Sequence, residues 1–236
     1  MNKHSIALTA VVAALLAAFP CLGPEVYYLS FMFSVFMYVI LASSWNIIGG
    51  YAGYLSFGHA AFFGIGAFAT AKAAAFFELT PLPTILASLP AGILAALVAL
   101  IIGYPCLKIR GPYFAVVTLC FGFVVELAVK NIEFLGGAEG IWMQFMDLPE
   151  KMSRTIMYEA MLVLAVITLG TTWWLGNSRL GAGLRAIRAD EEVAETMAVP
   201  TAKIKIQAFA LSAFFPGVAG GLFAYYLTYI HPDVVF

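Results

Sequence analysis

Glu126 is the only carboxylate set deep inside an apolar run of this chain, and Lys130 follows it by four residues. An ionised group inside a membrane is expensive and is often kept as an ion or proton site on a transport path. The same i,i+4 spacing also lets the two side chains neutralise each other on one helix face. Both readings stand at the level of the sequence. His59, in Ser56-Phe-Gly-His-Ala60, and Asn46 are the next candidates. Each could line a path or hydrogen-bond one helix to another, as could Tyr113 and Thr118. No catalytic residues are expected, because no nucleophile–base constellation is visible. No metal site is expected either: His4, His59 and His231 are scattered, and Cys21, Cys106 and Cys120 show no CxxC spacing. The cysteines read as free thiols buried in apolar surroundings. A GxxxxGK[ST] phosphate loop is also missing, so no cofactor is expected on this chain and any ATP hydrolysis belongs to another.

A second kind of chemistry lies in charge distribution. Nine of the chain's 25 charged residues fall between Arg179 and Lys205, bounded on both sides by apolar runs. Drawn as a helix, this segment places Arg185, Arg188, Glu191, Glu192 and Glu195 on one arc. Ile187, Val193, Ala194 and Met197 share the other. Asp190 interrupts the apolar face but suits the N-cap of a short second helix. A helix resting on anionic lipid headgroups should be basic. Here two cations stand against four anions from Arg185 to Glu195, which favours docking to a soluble protein.

These residues must be positioned by membrane helices. The chain is 63% apolar and 11% charged, with a mean hydropathy of +0.95, far from the composition of a soluble domain. The net charge of −1 offers no nucleic-acid signal. The expected fold is all-α: a polytopic helical membrane protein, a single transmembrane domain over residues 1–236. About seven transmembrane spans are expected, near 6–22, 27–48, 58–77, 84–104, 113–130, 157–175 and 206–230, with Gly and Pro breaks between them. Lys3 followed by an apolar run resembles a leader, but Pro20-Cys21 offers no small-x-small cleavage site, so a first helix is expected instead. The balance of Lys and Arg puts the N-terminus and the 179–205 segment in the cytoplasm and the 131–154 loop outside. Glycines crowd the third and last spans, which allows close helix packing. The aromatics suit lipid-facing and interfacial packing, and no internal repeat is evident.

Four stretches carry a resemblance. They are Trp45-Asn-Ile-Ile-Gly-Gly-Tyr-Ala-Gly-Tyr-Leu-Ser-Phe-Gly-His-Ala-Ala-Phe-Phe-Gly-Ile-Gly-Ala67, Arg110-Gly-Pro-Tyr-Phe-Ala-Val-Val-Thr-Leu-Cys-Phe-Gly122 and Gly136-Gly-Ala-Glu-Gly-Ile141. The fourth joins Ala186-Ile-Arg-Ala-Asp-Glu191 and Ala194 to Lys205-Ile-Gln-Ala-Phe-Ala-Leu-Ser-Ala213 and the glycines that follow. In this order they resemble the branched-chain amino acid type of ABC-transporter permease, the M-type subunit in particular. Departures occur at Gly181-Ala182-Gly183, where the family favours Gly-Arg-Ala, and at Ala198 and Pro200.

The resemblance implies a bacterial inner-membrane subunit with a cytoplasmic coupling helix. It implies transport of branched-chain or similar hydrophobic amino acids, powered by partner subunits that bind ATP. Gly183, Arg185, Ala186, Ile187, Arg188, Asp190, Glu191 and Ala194 would then meet the ATPase. The implied partners are a second permease subunit, two cytoplasmic ATPases, a periplasmic or extracellular substrate-binding protein, and membrane lipid. Family members usually continue with further apolar helices, so a chain shortened at its C-terminus is also expected. Import of urea or short amides is an alternative within the family. An ion-coupled carrier centred on Glu126 is an alternative outside it.

Overall fold

A computed structural model describes residues 3–77, 81–109, 111–143 and 148–236. Arg110 and Asp147, which the sequence places in a family motif and in the outer loop, lie outside the described residues. The helices are α1 (Lys3–Ala18), α2 (Val26–Ile48), α3 (His59–Phe76), α4 (Pro81–Cys106), α5 (Pro112–Asn131), α6 (Glu150–Asn177), α7 (Arg179–Ala189), α8 (Glu191–Thr196), α9 (Thr201–Leu227) and α10 (Pro232–Val235). Two-residue strands β1 (Ile141–Trp142) and β2 (Tyr229–Ile230) pair antiparallel, Ile141 facing Ile230.

A helix forms at each of the seven predicted apolar runs. Among the described residues, five segments are long and apolar enough to cross a membrane: Val26–Ala52, Pro83–Cys106, Tyr113–Asn131, Glu150–Asn177 and Thr201–Leu227. The other two differ for physical reasons. The apolar stretch Val11–Leu22 is short, below the ~20 residues that span hydrocarbon. Helix α3 contains His59 and Lys72, and eleven of its 18 residues are buried, so protein rather than lipid surrounds it. Two helices start five or more residues earlier than predicted. Helix α6 begins at Glu150 and α9 at Thr201, because a helix can run past the apolar stretch into water.

Glycine fixes the centre of the bundle. A Cβ on Gly66 would lie 1.9 Å from the carbonyl oxygen of Gly217, and one on Gly220 would lie 2.0 Å from that of Phe63. Helices α3 and α9 therefore touch backbone to backbone, the close approach that small residues permit. Around this seam, Phe62, Phe114, Phe121 and Phe209 interlock with ring centroids 5.4 to 6.0 Å apart. Cys106 is buried, whereas Cys21 and Cys120 are exposed on the surface of the apolar helices, which corrects the expectation that all three thiols are interior.

The connections sort into two ends. At one end the α2–α3 loop, the end of α4, α7, α8 and the start of α9 meet, with Arg188 bonded to Gly50 and Lys205 to Leu107. At the other end Lys151 Nζ donates to Gly23 O at 3.0 Å, β1 pairs with β2, and Lys130 pairs with Asp233. Successive long helices run in alternate directions between these ends.

Candidate functional site

The amphipathic segment folds as two short helices. Ser178 caps α7, its Oγ accepting from the Gly181 N–H at 3.1 Å. Asp190 ends α7 in an extended conformation (φ −164°, ψ 115°) and caps α8, its Oδ1 accepting from Glu192 N at 2.9 Å and Val193 N at 3.1 Å. Such a cap satisfies two of the N–H groups that a helix start leaves open. Gly181, Leu184 and Ile187 are buried along α7. A Cβ on Gly183 would lie 2.6 Å from Ile204 Cδ1, so this glycine lets α7 press against α9. Ala186 is half-buried on the same helix.

The segment is strapped to its surroundings by arginine. Arg185 Nη1 donates to Gly176 O at 2.6 Å, and Arg188 Nη1 donates to Gly50 O at 2.5 Å. Gly53, at φ +77°, passes beside the Arg188 side chain. Both guanidinium groups thus hold backbone carbonyls at the ends of neighbouring elements.

The break at Asp190 changes the faces expected of one continuous helix. Ile187 and Ala194 are buried, in line with an apolar arc, but Val193 and Met197 are 56% and 75% exposed. Glu191, expected on the polar arc, turns inward. The extended residue resets the rotational phase, so α8 presents a different face from the one α7 would have continued.

Glu191 turns toward Lys205, which in the sequence stands at the edge of the cytoplasmic segment and opens the last family-like stretch. Lys205 Nζ lies 2.6 Å from Glu191 Oε1, and the two side chains are 5% and 12% exposed. The same ammonium donates to Leu107 O at 2.8 Å and to Tyr54 Oη at 3.3 Å, while the Tyr54 hydroxyl donates to Glu191 Oε2. The Tyr54 ring also lies beneath the ammonium, 5.1 Å from centroid to nitrogen. Nearby, Thr201 Oγ1 donates to Glu195 Oε1 at 2.7 Å, joining α8 to the start of α9. The signal available in the sequence was two lysines, Lys203 and Lys205, at the threshold of an apolar helix; nothing in spacing connected Lys205 to Tyr54.

The pathway candidates do not converge on one cavity. Thr118 is buried and clamps the approach to α3: its Oγ1 accepts from Phe57 N at 3.1 Å and donates to Ala115 O at 3.0 Å. His59, next to this clamp, is buried, and neither ring nitrogen has a hydrogen-bonding partner among the described residues. Tyr113 is 71% exposed on the outer face of α5. Asn46 lines an open groove between α2 and α6 with Trp45, Tyr51, Thr172 and Trp173. Glu126 lies toward the opposite end, where Lys130 Nζ contacts Glu126 Oε1 at 2.7 Å and Asp233 Oδ1 at 2.6 Å. Among the described residues no group of His, Cys, Asp and Glu is arranged to hold a metal ion.

A bundle of apolar helices, closed around a glycine seam and carrying an amphipathic helix pair at one end, defines a polytopic α-helical membrane protein. Residues 27–236 match the family described as the permease component of branched-chain amino acid transport systems, and the chain belongs to that family. It is similar to LivM, the high-affinity branched-chain amino acid transport system permease protein of Escherichia coli (strain K12). The two are 31% identical over 227 residues, covering 84% of this chain and 52% of the relative. LivM of Salmonella typhimurium (strain LT2) is likewise 31% identical with the same coverage. The chain thus spans about half the length of the curated relatives it matches. No solved structure matches it.

Proposed function

We propose that this chain is the membrane-spanning permease subunit of an ATP-driven importer for branched-chain or similar hydrophobic amino acids. Its own part is conformational, and ATP is bound and hydrolysed on separate subunits. The observation that carries this reading is the α7–α8 pair: three arginines on α7 followed by Asp190 and three glutamates on α8, amphipathic, and bonded directly to the ends of the membrane helices. It is the contact surface for a soluble ATPase. A second permease completes the pathway, and a binding protein delivers substrate at the opposite end. Lys108, Arg179, Arg185, Arg188, Lys203 and Lys205 gather at the α7 end, whereas Lys72, Lys130, Lys151 and Arg154 lie toward the other. The excess of cations supports a cytoplasmic α7 end, with the N-terminus on the same side, in a bacterial inner membrane.

Purification of the chain from native membrane, followed by mass spectrometry of what stays bound, tests the assembly. Two ATPases and a second permease are expected. Recovery of the folded chain alone, or only as copies of itself, would overturn the reading.

A further inference from the structure

We infer that Lys205 is a positioning residue for coupling: it locks α8 to the membrane helices so that a displacement of α7–α8 reaches α9, α4 and the α2–α3 loop as one movement. This rests on the reading of α7–α8 as the ATPase contact and adds the element that would carry the movement inward.

An ammonium has three N–H donors and no acceptor. Lys205 spends all three on acceptors from separate parts of the chain: Glu191 Oε1 at 2.6 Å, Leu107 O at 2.8 Å and Tyr54 Oη at 3.3 Å. Their separations from Lys205 in sequence are 14, 98 and 151 residues. Glu191 is bonded on both oxygens, to Lys205 and to the Tyr54 hydroxyl. Four backbone segments therefore meet at one buried charge pair.

Physical chemistry separates this cluster from an ordinary packing contact. Apolar surfaces can slide past each other with little change in buried area, because the hydrophobic effect has no direction. A buried ion pair cannot slide: moving either partner leaves a desolvated charge without its counter-charge. A rigid connection follows at the place where a peripheral helix joins the bundle. The compact ammonium is suited to three acceptors arranged around one point, whereas the planar fork of arginine is suited to paired oxygens. Bistable movements are transmitted through such packed, bonded elements rather than through flexible linkers.

The test uses the complete transporter, purified from native membrane and reconstituted in proteoliposomes, with radiolabelled leucine as the probe. Leucine imported per ATP hydrolysed is measured for the unaltered protein, Lys205→Met and Tyr54→Phe. Lys205→Met is expected to lower this ratio roughly tenfold, and Tyr54→Phe, which keeps the ring and removes one oxygen, about threefold. Uptake and hydrolysis that fall together, in proportion to the amount of folded complex, would make Lys205 merely structural and overturn the inference. Tyr54→Phe decides the matter if Lys205→Met fails to assemble: an unchanged ratio overturns it. An unaltered transporter that imports no leucine with ATP would overturn the parent reading, and this inference with it.

Discussion

The two ends of the molecule each hold a lysine bonded to an acidic side chain, and they hold it in opposite ways. Lys205 and Glu191 are 5% and 12% exposed, come from different helices, and share their site with Tyr54 and the Leu107 carbonyl. Lys130 and Glu126 are 30% and 24% exposed and sit one turn apart on α5, while the second partner, Asp233, is 61% exposed. The pairs have similar lengths, 2.6 and 2.7 Å. Burial, not distance, sets them apart. The outer pair is partly exposed and its members lie one turn apart on a single helix, so burial does not lock them to separate elements. The inner pair has given up its hydration and depends on every partner staying in place. A short ion pair therefore says little about rigidity until its surroundings are known.

The contrast is broken most directly by removing each lysine in turn. Lys205→Met should destabilise the folded protein by about 3–5 kcal/mol, because it strands a buried carboxylate. Lys130→Met should cost much less, because the carboxylates it leaves behind are themselves partly exposed. Thermal unfolding in detergent, followed by tryptophan fluorescence, measures both; equal losses would erase the distinction.

Glu126→Gln sharpens the comparison at the level of function. Since Lys130 already neutralises Glu126, uptake of labelled leucine by cells is expected to stay within about twofold at equal expression, the size of effect that goes with a partly exposed pair. Loss of uptake with normal expression would instead support a carrier centred on this carboxylate, which an imposed ion gradient without ATP would then drive.

The smallest effect concerns Asp233. Its hydrogen bond from Lys130, followed by the charges of Lys130 and His231, holds its carboxyl below the usual carboxylate range. A carboxylate whose pKa is lowered on folding stabilises the native state above its unfolded pKa and loses that contribution as pH falls through the folded value. The link from α10 to α5 should therefore be present at neutral pH and weaken in acid. Trp142, whose ring lies 4.4 Å from that of Tyr229 beside this segment, reports the change by fluorescence. Asp233→Asn should show the acid signal already at neutral pH, with a shift smaller than that of either lysine variant.

Much of the fold was legible because its determinants are local. Apolar runs bounded by Pro and Gly predicted the seven helices α1 to α6 and α9, though not the short α10. Asp190 was readable as a cap because capping acts on the next two or three residues, and the Glu126–Lys130 pair because i,i+4 spacing is itself geometry. The faces of α7 and α8 were only partly legible. Helical periodicity was projected through Asp190, while the observed extended residue rotates Glu191 inward and Val193 and Met197 outward. Thr118 illustrates a different gap: its type suggested a polar site in an apolar helix, but only the fold shows it clamping Phe57.

The sequence by itself determined the class of protein, the run and break of its helices, the charged segment between two of them, and the family. Those properties follow from composition, from periodicity and from neighbours a few residues apart. Only the tertiary structure decided that Tyr54, Leu107, Glu191 and Lys205 share one site, and that α3 runs through the middle of the bundle on a glycine seam with α9. The reason is physical: contacts across 98 or 151 residues depend on how helices pack, and no local pattern of residues encodes which distant carbonyl or hydroxyl will face a buried ammonium.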